Sequence, residues 1–270
     1  MAHEPGSRTW QGTDAYEAYM GRWSRRMARA FIAWFAVPTV GRWLDVGCGT
    51  GALTAAVLDA SGPIAVVGID PSTEFIATAN VHLPDPRARF EVGDALDLPV
   101  ATGGYDVVVA GLVLNHVPDP ALAVTEMVRA ARPGGAVGAY VWDYSGEMQL
   151  MRYFWEAVAA TDADAASFDP RAHYSICQPD PLATLFRSAG LGAIEVGAVD
   201  LPMGFQNFDD FWLPHTMKGP AVTQRYVSAL DDDRRAALRE RLRTMLPIAA
   251  DGTIDLIGRA WAVRATKRTS

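Results

Sequence analysis

Between Arg42 and Asp143 short apolar runs alternate with amphipathic stretches, and this alternation is the strongest constraint on the fold. Strands separated by helix-length segments cannot pair as hairpins; they form βαβ units, and hence a parallel sheet with helices on its faces. The runs Arg42–Val46, Ala65–Ile69, Ala88–Val92, Tyr105–Ala110 and Gly135–Trp142 read as strands. Gly51–Ala60, Ser72–Leu83 and Ala121–Ala131 read as the helices between them, with prolines punctuating the joins. Farther on, Pro181–Ala189 reads as a helix stopped by Gly190, followed by strands Ala193–Leu201 and Thr253–Thr266. A chain of 270 residues can bury one large core, so residues 1–270 are expected to form a single domain.

Aromatic residues are distributed unevenly about this unit. Residues 40–139 hold four, Trp43, Phe75, Phe90 and Tyr105, whereas the other 170 positions hold twenty-two. The flanks are also where helices interrupt the alternation: residues 1–39, 144–178 and 202–252, the last with a helix expected over Asp232–Leu246. The net charge of −7 has the wrong sign for a chain that grips nucleic acid through its phosphates. Two distant cysteines, Cys48 and Cys177, form neither a disulfide framework nor a Cys/His metal cluster, so no metal site is expected. The polar amino end and the absence of a long apolar run predict neither a secretory signal nor a membrane span, and a cytoplasmic location follows as the expectation. The oligomeric state is left open.

The first strand runs into Asp45-Val46-Gly47-Cys48-Gly49-Thr50-Gly51 and then into a helix. Glycines there let the backbone turn tightly and approach a ligand, while helix-start N–H groups face an anionic group. Asp70 closes the second strand, where a carboxylate can accept from ribose hydroxyls, and Asp94 follows the third. Strand ends of an open parallel sheet face one crevice, so the loop and all three acids are expected to line one site. A nicotinamide dehydrogenase would carry Gly-x-Gly-x-x-Gly; this loop runs Gly-x-Gly-x-Gly with Asp45 ahead of it, which argues against that reading.

With Leu44-Asp45-Val46-Gly47-Cys48-Gly49-Thr50-Gly51, Gly68-Ile69-Asp70, Gly93-Asp94-Ala95, Tyr105-Asp106-Val107-Val108-Val109 and Arg132-Pro133-Gly134-Gly135 in order, residues 40–145 resemble the class I S-adenosylmethionine-dependent methyltransferases, and particularly their quinone-biosynthesis C-methyltransferase branch. The resemblance implies a Rossmann-like α/β fold: a seven-stranded, mostly parallel sheet of order 3-2-1-4-5-7-6 whose last strand is antiparallel. Residues 40–143 would form the cofactor-binding half, 1–39 a helical lid, and 144–178 and 202–252 substrate caps. It also implies S-adenosyl-L-methionine as cofactor, S-adenosyl-L-homocysteine as product, and transfer of a methyl group by in-line displacement. Asp45, Gly47 and Gly49 would surround the methionine moiety, Asp70 with Pro71 the ribose, and Asp94 with Ala95 the adenine. The backbone at Ala110 and Gly111 would lie near the methionyl amino group. Tyr16, Tyr19, Arg22 and Trp23 would face the cofactor from the lid, with Arg22 meeting the methionine carboxylate.

Topology sends the caps to the crevice mouth, so they are expected to hold a small-molecule acceptor. His116, just after the fourth strand, is the candidate base. Trp142, Tyr144, His173, Tyr174, Phe208, Phe211, Trp212 and His215 are candidates for the acceptor pocket, together with Trp23. The cluster Met203, Phe205, Phe208, Phe211, Trp212 and Met217 suggests a partly apolar or aromatic acceptor. The competing reading is a cofactor-binding protein of the same fold that catalyses a non-methylating reaction or serves as a regulatory partner.

Overall fold

A computed structural model describes residues 20–37, 40–162, 165, 168–169, 174–219 and 221–269. Seven strands form one sheet: β1 (Arg42–Val46), β2 (Ala65–Asp70), β3 (Ala88–Val92), β4 (Tyr105–Gly111), β5 (Ala131–Trp142), β6 (Gly192–Phe205) and β7 (Ile254–Thr266). Their order is β3-β2-β1-β4-β5-β7-β6, with β7 antiparallel to both neighbours and the other pairs parallel. The expected order and the single reversed strand are both found.

Helix α1 (Arg22–Phe35) precedes the sheet; α2 (Ala52–Ser61), α3 (Thr73–His82) and α4 (Pro120–Ala130) cross between its parallel strands. After β5 come α5 (Gln149–Thr161) and α6 (Pro179–Ser188), and between β6 and β7 lie α7 (Phe208–Thr216), α8 (Val222–Ala229) and α9 (Asp232–Met245). Two of these, α7 and α8, were not expected; both are short, and Pro214 inside α7 hides its pattern. Local chemistry sets the helix starts. The Ser72, Asp119, Asn207 and Asp231 side chains each accept a backbone N–H of the first turn of α3, α4, α7 and α9.

Side-chain alternation along the central strands divides the core in two. Trp43, Val107 and Val109 face a layer built with α1, α2, α5 and the cap helices, while Leu44, Val46, Val108 and Ala110 face α4 and α6. Helix α1 is part of the first layer: Trp23, Met27, Phe31 and Phe35 are all buried, and Phe31 meets Tyr140 of β5 at 4.7 Å between ring centroids. The approach is close enough that a Cβ on Gly138 would lie 2.2 Å from the Phe35 ring. Among the described residues no helix is long and apolar enough to cross a membrane.

Candidate functional site

A cavity of about 360 Å³ opens at the carboxyl ends of β1, β2, β4 and β5. The glycine loop forms one end. Gly47 and Cys48 both donate their N–H to the Ile69 carbonyl, at 2.7 and 3.0 Å, which folds the loop back onto β2. Gly47 and Gly49 hold φ of 71° and 53°, in the left-handed region. A Cβ on Gly47 would strike Val113 at 2.3 Å, whereas one on Gly49 would meet nothing within 4 Å. The first glycine is therefore required by packing, and the second leaves an open cradle.

Asp70 lines this end and is mostly buried. Its Oδ2 accepts the Gly49 N–H at 3.0 Å and its Oδ1 the Ser72 N–H at 2.9 Å, so one carboxylate ties the loop to the start of α3. Burial pushes its pKa up, against the lowering effect of these two bonds. Pro71, Asp94, Ala95 and Gly111 line the same cavity, and Asp94 Oδ1 is anchored by the Leu96 N–H at 2.9 Å. The open cradle at Gly49 beside a fixed carboxylate leaves room for a polar ligand such as S-adenosylmethionine at this end of the cavity.

Asp45 departs from the expectation. It is fully buried, accepts from Thr54 Oγ1 of α2 at 2.7 Å, and does not line the cavity; burial pushes its pKa up to about 7. It shares the parity of Trp43 on β1 and so points under the loop into the α1–α2 layer. The Ala110 side chain packs in the α4–α6 core, and Gly111, next along the strand, lines the cavity.

The rest of the cavity is walled by Trp142 at the end of β5, by Tyr144, Met148, Met151 and Tyr174 from the segment after it, by Met20 and Ser24 from the amino end, and by Ala221 and Val222 of the second cap. Tyr174 lies 5.4 Å from Tyr144 and meets the ring of His116 edge-on at 5.7 Å. His116 lines the cavity at the turn leaving β4, its backbone N–H bound to the Val113 carbonyl at 2.7 Å. In that turn Leu112 adopts φ 61°, a conformation uncommon for a side-chain-bearing residue and often found beside functional clefts. No sequence signal marks Leu112; Met148 and Met151 carry one, a helical spacing with Trp155.

Several expected contacts lie elsewhere. Arg22 points to α7, its Nη1 3.0 Å from Asp210 Oδ1, with its guanidinium over Trp23 at 4.3 Å and Phe205 at 5.0 Å. Trp23 packs against Phe205 in the core rather than facing the cavity. Phe208, Phe211 and Trp212 are buried with Met203 and Phe205 in the core layer shared with α1 and α5, and Met217 is partly exposed on the surface. His215 stacks on Phe154 at 4.6 Å and tilts against Phe211; burial depresses its pKa to about 3, so it stays neutral. These aromatics join the core layer that α1, α2 and α5 build on one face of the sheet, and the reasoning from cap composition to the acceptor pocket fails for them. Tyr16, Tyr19 and His173 lie outside the described residues.

Residues 44–138 match the family model of the methyltransferase domain. A demethylmenaquinone methyltransferase of Roseiflexus castenholzii is 31% identical over 183 residues, covering 64% of this chain and 76% of that protein. The chain belongs to the class I S-adenosylmethionine-dependent methyltransferases. Among solved structures, this methyltransferase is similar to phosphoethanolamine N-methyltransferase 2 of Haemonchus contortus, solved with S-adenosylhomocysteine (TM-score 0.57, 20% identity, 94% of this chain and 56% of that one). It is also similar to the [4+2]-cyclase SpnF (TM-score 0.56, 19% identity, 91% and 81%). At such identities the likeness is one of fold.

Proposed function

We propose that this methyltransferase acts on a small neutral aromatic acceptor of the phenol or hydroquinone type. The observation that carries the reading is the wall of Trp142, Tyr144, Tyr174, Met148 and Met151 inside the same cavity as Asp70 and the glycine loop. Flat, polarisable surfaces suit a flat apolar ring and, near a sulfonium, favour its positive charge. The likeness to a demethylmenaquinone methyltransferase supports a ring acceptor, and likeness in sequence to methyltransferases favours methyl transfer over the cyclisation that SpnF's name describes.

In this reading Asp70 receives the ribose hydroxyls with Pro71 beside it, Asp94 and Ala95 flank the adenine, and Gly47, Gly49 and Gly111 border the methionine portion. S-adenosylmethionine supplies an electrophilic methyl group on sulfur. The protein's part is to align the acceptor with that methyl and keep water away, and orientation of this kind is worth up to ~7–11 kcal/mol of barrier. His116 takes the proton that the acceptor loses: the acceptor atom bonds to the methyl carbon, the sulfur keeps the electrons of the broken bond, and the imidazole later yields the proton to solvent.

The test is release of S-adenosylhomocysteine with naphthohydroquinone, phosphoethanolamine or a lysine-rich peptide as acceptor. Turnover with the hydroquinone is expected to exceed the others at least tenfold. Turnover only with the phosphate ester or the peptide would overturn the reading.

A further inference from the structure

We propose that Gln224 is a positioning residue of the acceptor pocket: its buried amide sets Ala221 and Val222 in the cavity wall and so limits the size of the ring the enzyme accepts. The proposal rests on the reading above that a ring acceptor shares the cavity with the cofactor. Ala221 and Val222 line that cavity at the start of α8, and both offer it only apolar side chains. Gln224 is 1% exposed and is not itself part of the lining. Its Oε1 accepts the Ala221 N–H at 3.3 Å, and its Nε2 donates to the Pro214 carbonyl at 3.0 Å.

Each bond answers a need that the helices create. Pro214 is among the last four residues of α7, whose carbonyls have no partner within the helix. Ala221 sits at the N-cap of α8 and has no side-chain oxygen to close the first turn, so Gln224, three residues on, supplies the cap by reaching back. One neighbour is a donor and the other an acceptor, so a single orientation of the amide pairs both ends. One side chain thus ties the end of α7 to the start of α8. Helix α7 is itself held by the buried rings of Phe208, Phe211 and Trp212, which refers the wall to the core. The body of α8 has a separate anchor: Tyr226 packs 5.8 Å from Trp155, and its hydroxyl donates to Asp162 at 3.1 Å. Without the Gln224 amide the helix stays in place while its first turn, and with it Ala221 and Val222, gains freedom.

The experiment measures methylation of benzohydroquinone, naphthohydroquinone and anthrahydroquinone, a series of increasing ring number, by wild type, Gln224→Met and Val222→Ala, with calorimetric titration of S-adenosylhomocysteine. Methionine keeps the length of the side chain and removes both bonds. Gln224→Met is expected to raise KM for naphthohydroquinone about tenfold while kcat changes less than about threefold. Its kcat/KM for anthrahydroquinone relative to naphthohydroquinone is expected to rise at least about fivefold, with S-adenosylhomocysteine affinity within about twofold of wild type. Val222→Ala is expected to shift the ring preference the same way. An unchanged ring preference in Gln224→Met, or a loss of S-adenosylhomocysteine affinity as large as the rise in KM, overturns the proposal. If Gln224→Met fails to fold, Val222→Ala decides, because an unchanged preference there means that this wall does not meet the acceptor. If wild type turns over none of the hydroquinones, the acceptor reading falls and the proposal with it; wild-type turnover with an unaltered preference in Gln224→Met refutes the role of Gln224 alone.

Discussion

Replacing Gly47 by Ala adds one methyl group at the tightest point of the glycine loop. The new Cβ would lie 2.3 Å from Val113 Cγ2 and 2.8 Å from Cγ1, and the residue would sit at φ 71°. The left-handed conformation costs a residue with a side chain roughly 1–2 kcal/mol, and forcing a methyl into packed space typically costs about 1–3 kcal/mol. The loop cannot slide away cheaply, because Gly47 and Cys48 are both bonded to the Ile69 carbonyl. Gly47→Ala should therefore lose about 2–5 kcal/mol, divided between stability and cofactor affinity. Urea unfolding measures the first and calorimetric titration with S-adenosylhomocysteine the second. The cycle with Val113→Ala separates the causes: shortening Val113 should return the packing part and leave the conformational part. If Gly47→Ala stays within about 0.5 kcal/mol of wild type in both assays, or if the two substitutions are simply additive, the clash argument is wrong.

Asp70→Ala removes the acceptor for two backbone N–H groups and the carboxylate proposed to meet the ribose. Titration should show S-adenosylhomocysteine binding weakened by ~1–3 kcal/mol, and unchanged affinity would withdraw the ribose assignment. His215 offers a pH test. Its folded pKa of about 3 lies below the ordinary 6.5, so the unfolded chain binds the extra proton first and stability falls as pH drops from 6.5 toward 3. His215→Phe should gain relative to wild type across that window, by at most about 3 kcal/mol near about pH 4. Parallel unfolding curves for the two proteins through the window would contradict a buried neutral imidazole.

The sheet was legible because its signals are local. Alternation of strand and helix patterns marks the parallel strands, and the ordered motifs carry the strand order. Asp45 was misplaced although its direction is written in the strand: Trp43 and Asp45 share parity, and Trp43 is an obvious core residue. The acid's position beside the glycines outweighed that cue. The cap aromatics could not be sorted by composition, since a pocket and the core layer beneath it need the same residue types. Phe208, Phe211 and Trp212 went to the core, and Tyr144 and Tyr174 to the cavity. Arg22 finds Asp210 across 188 positions, a pairing that depends on how α1 and α7 meet and has no local trace.

Residues 1–39 were expected as a helical lid, and within them the packing of α1 has a consequence for traffic. Trp23, Met27, Phe31 and Phe35 are at most 2% exposed. Returning four such side chains to water costs roughly 1.5–3 kcal/mol each, so a state with α1 lifted off would be populated at less than about one part in ten thousand. On the timescale of turnover α1 is masonry rather than a door. Cofactor and acceptor must come and go past it, so substitutions that loosen α1 are expected to cost thermal stability long before they change the rate of product release.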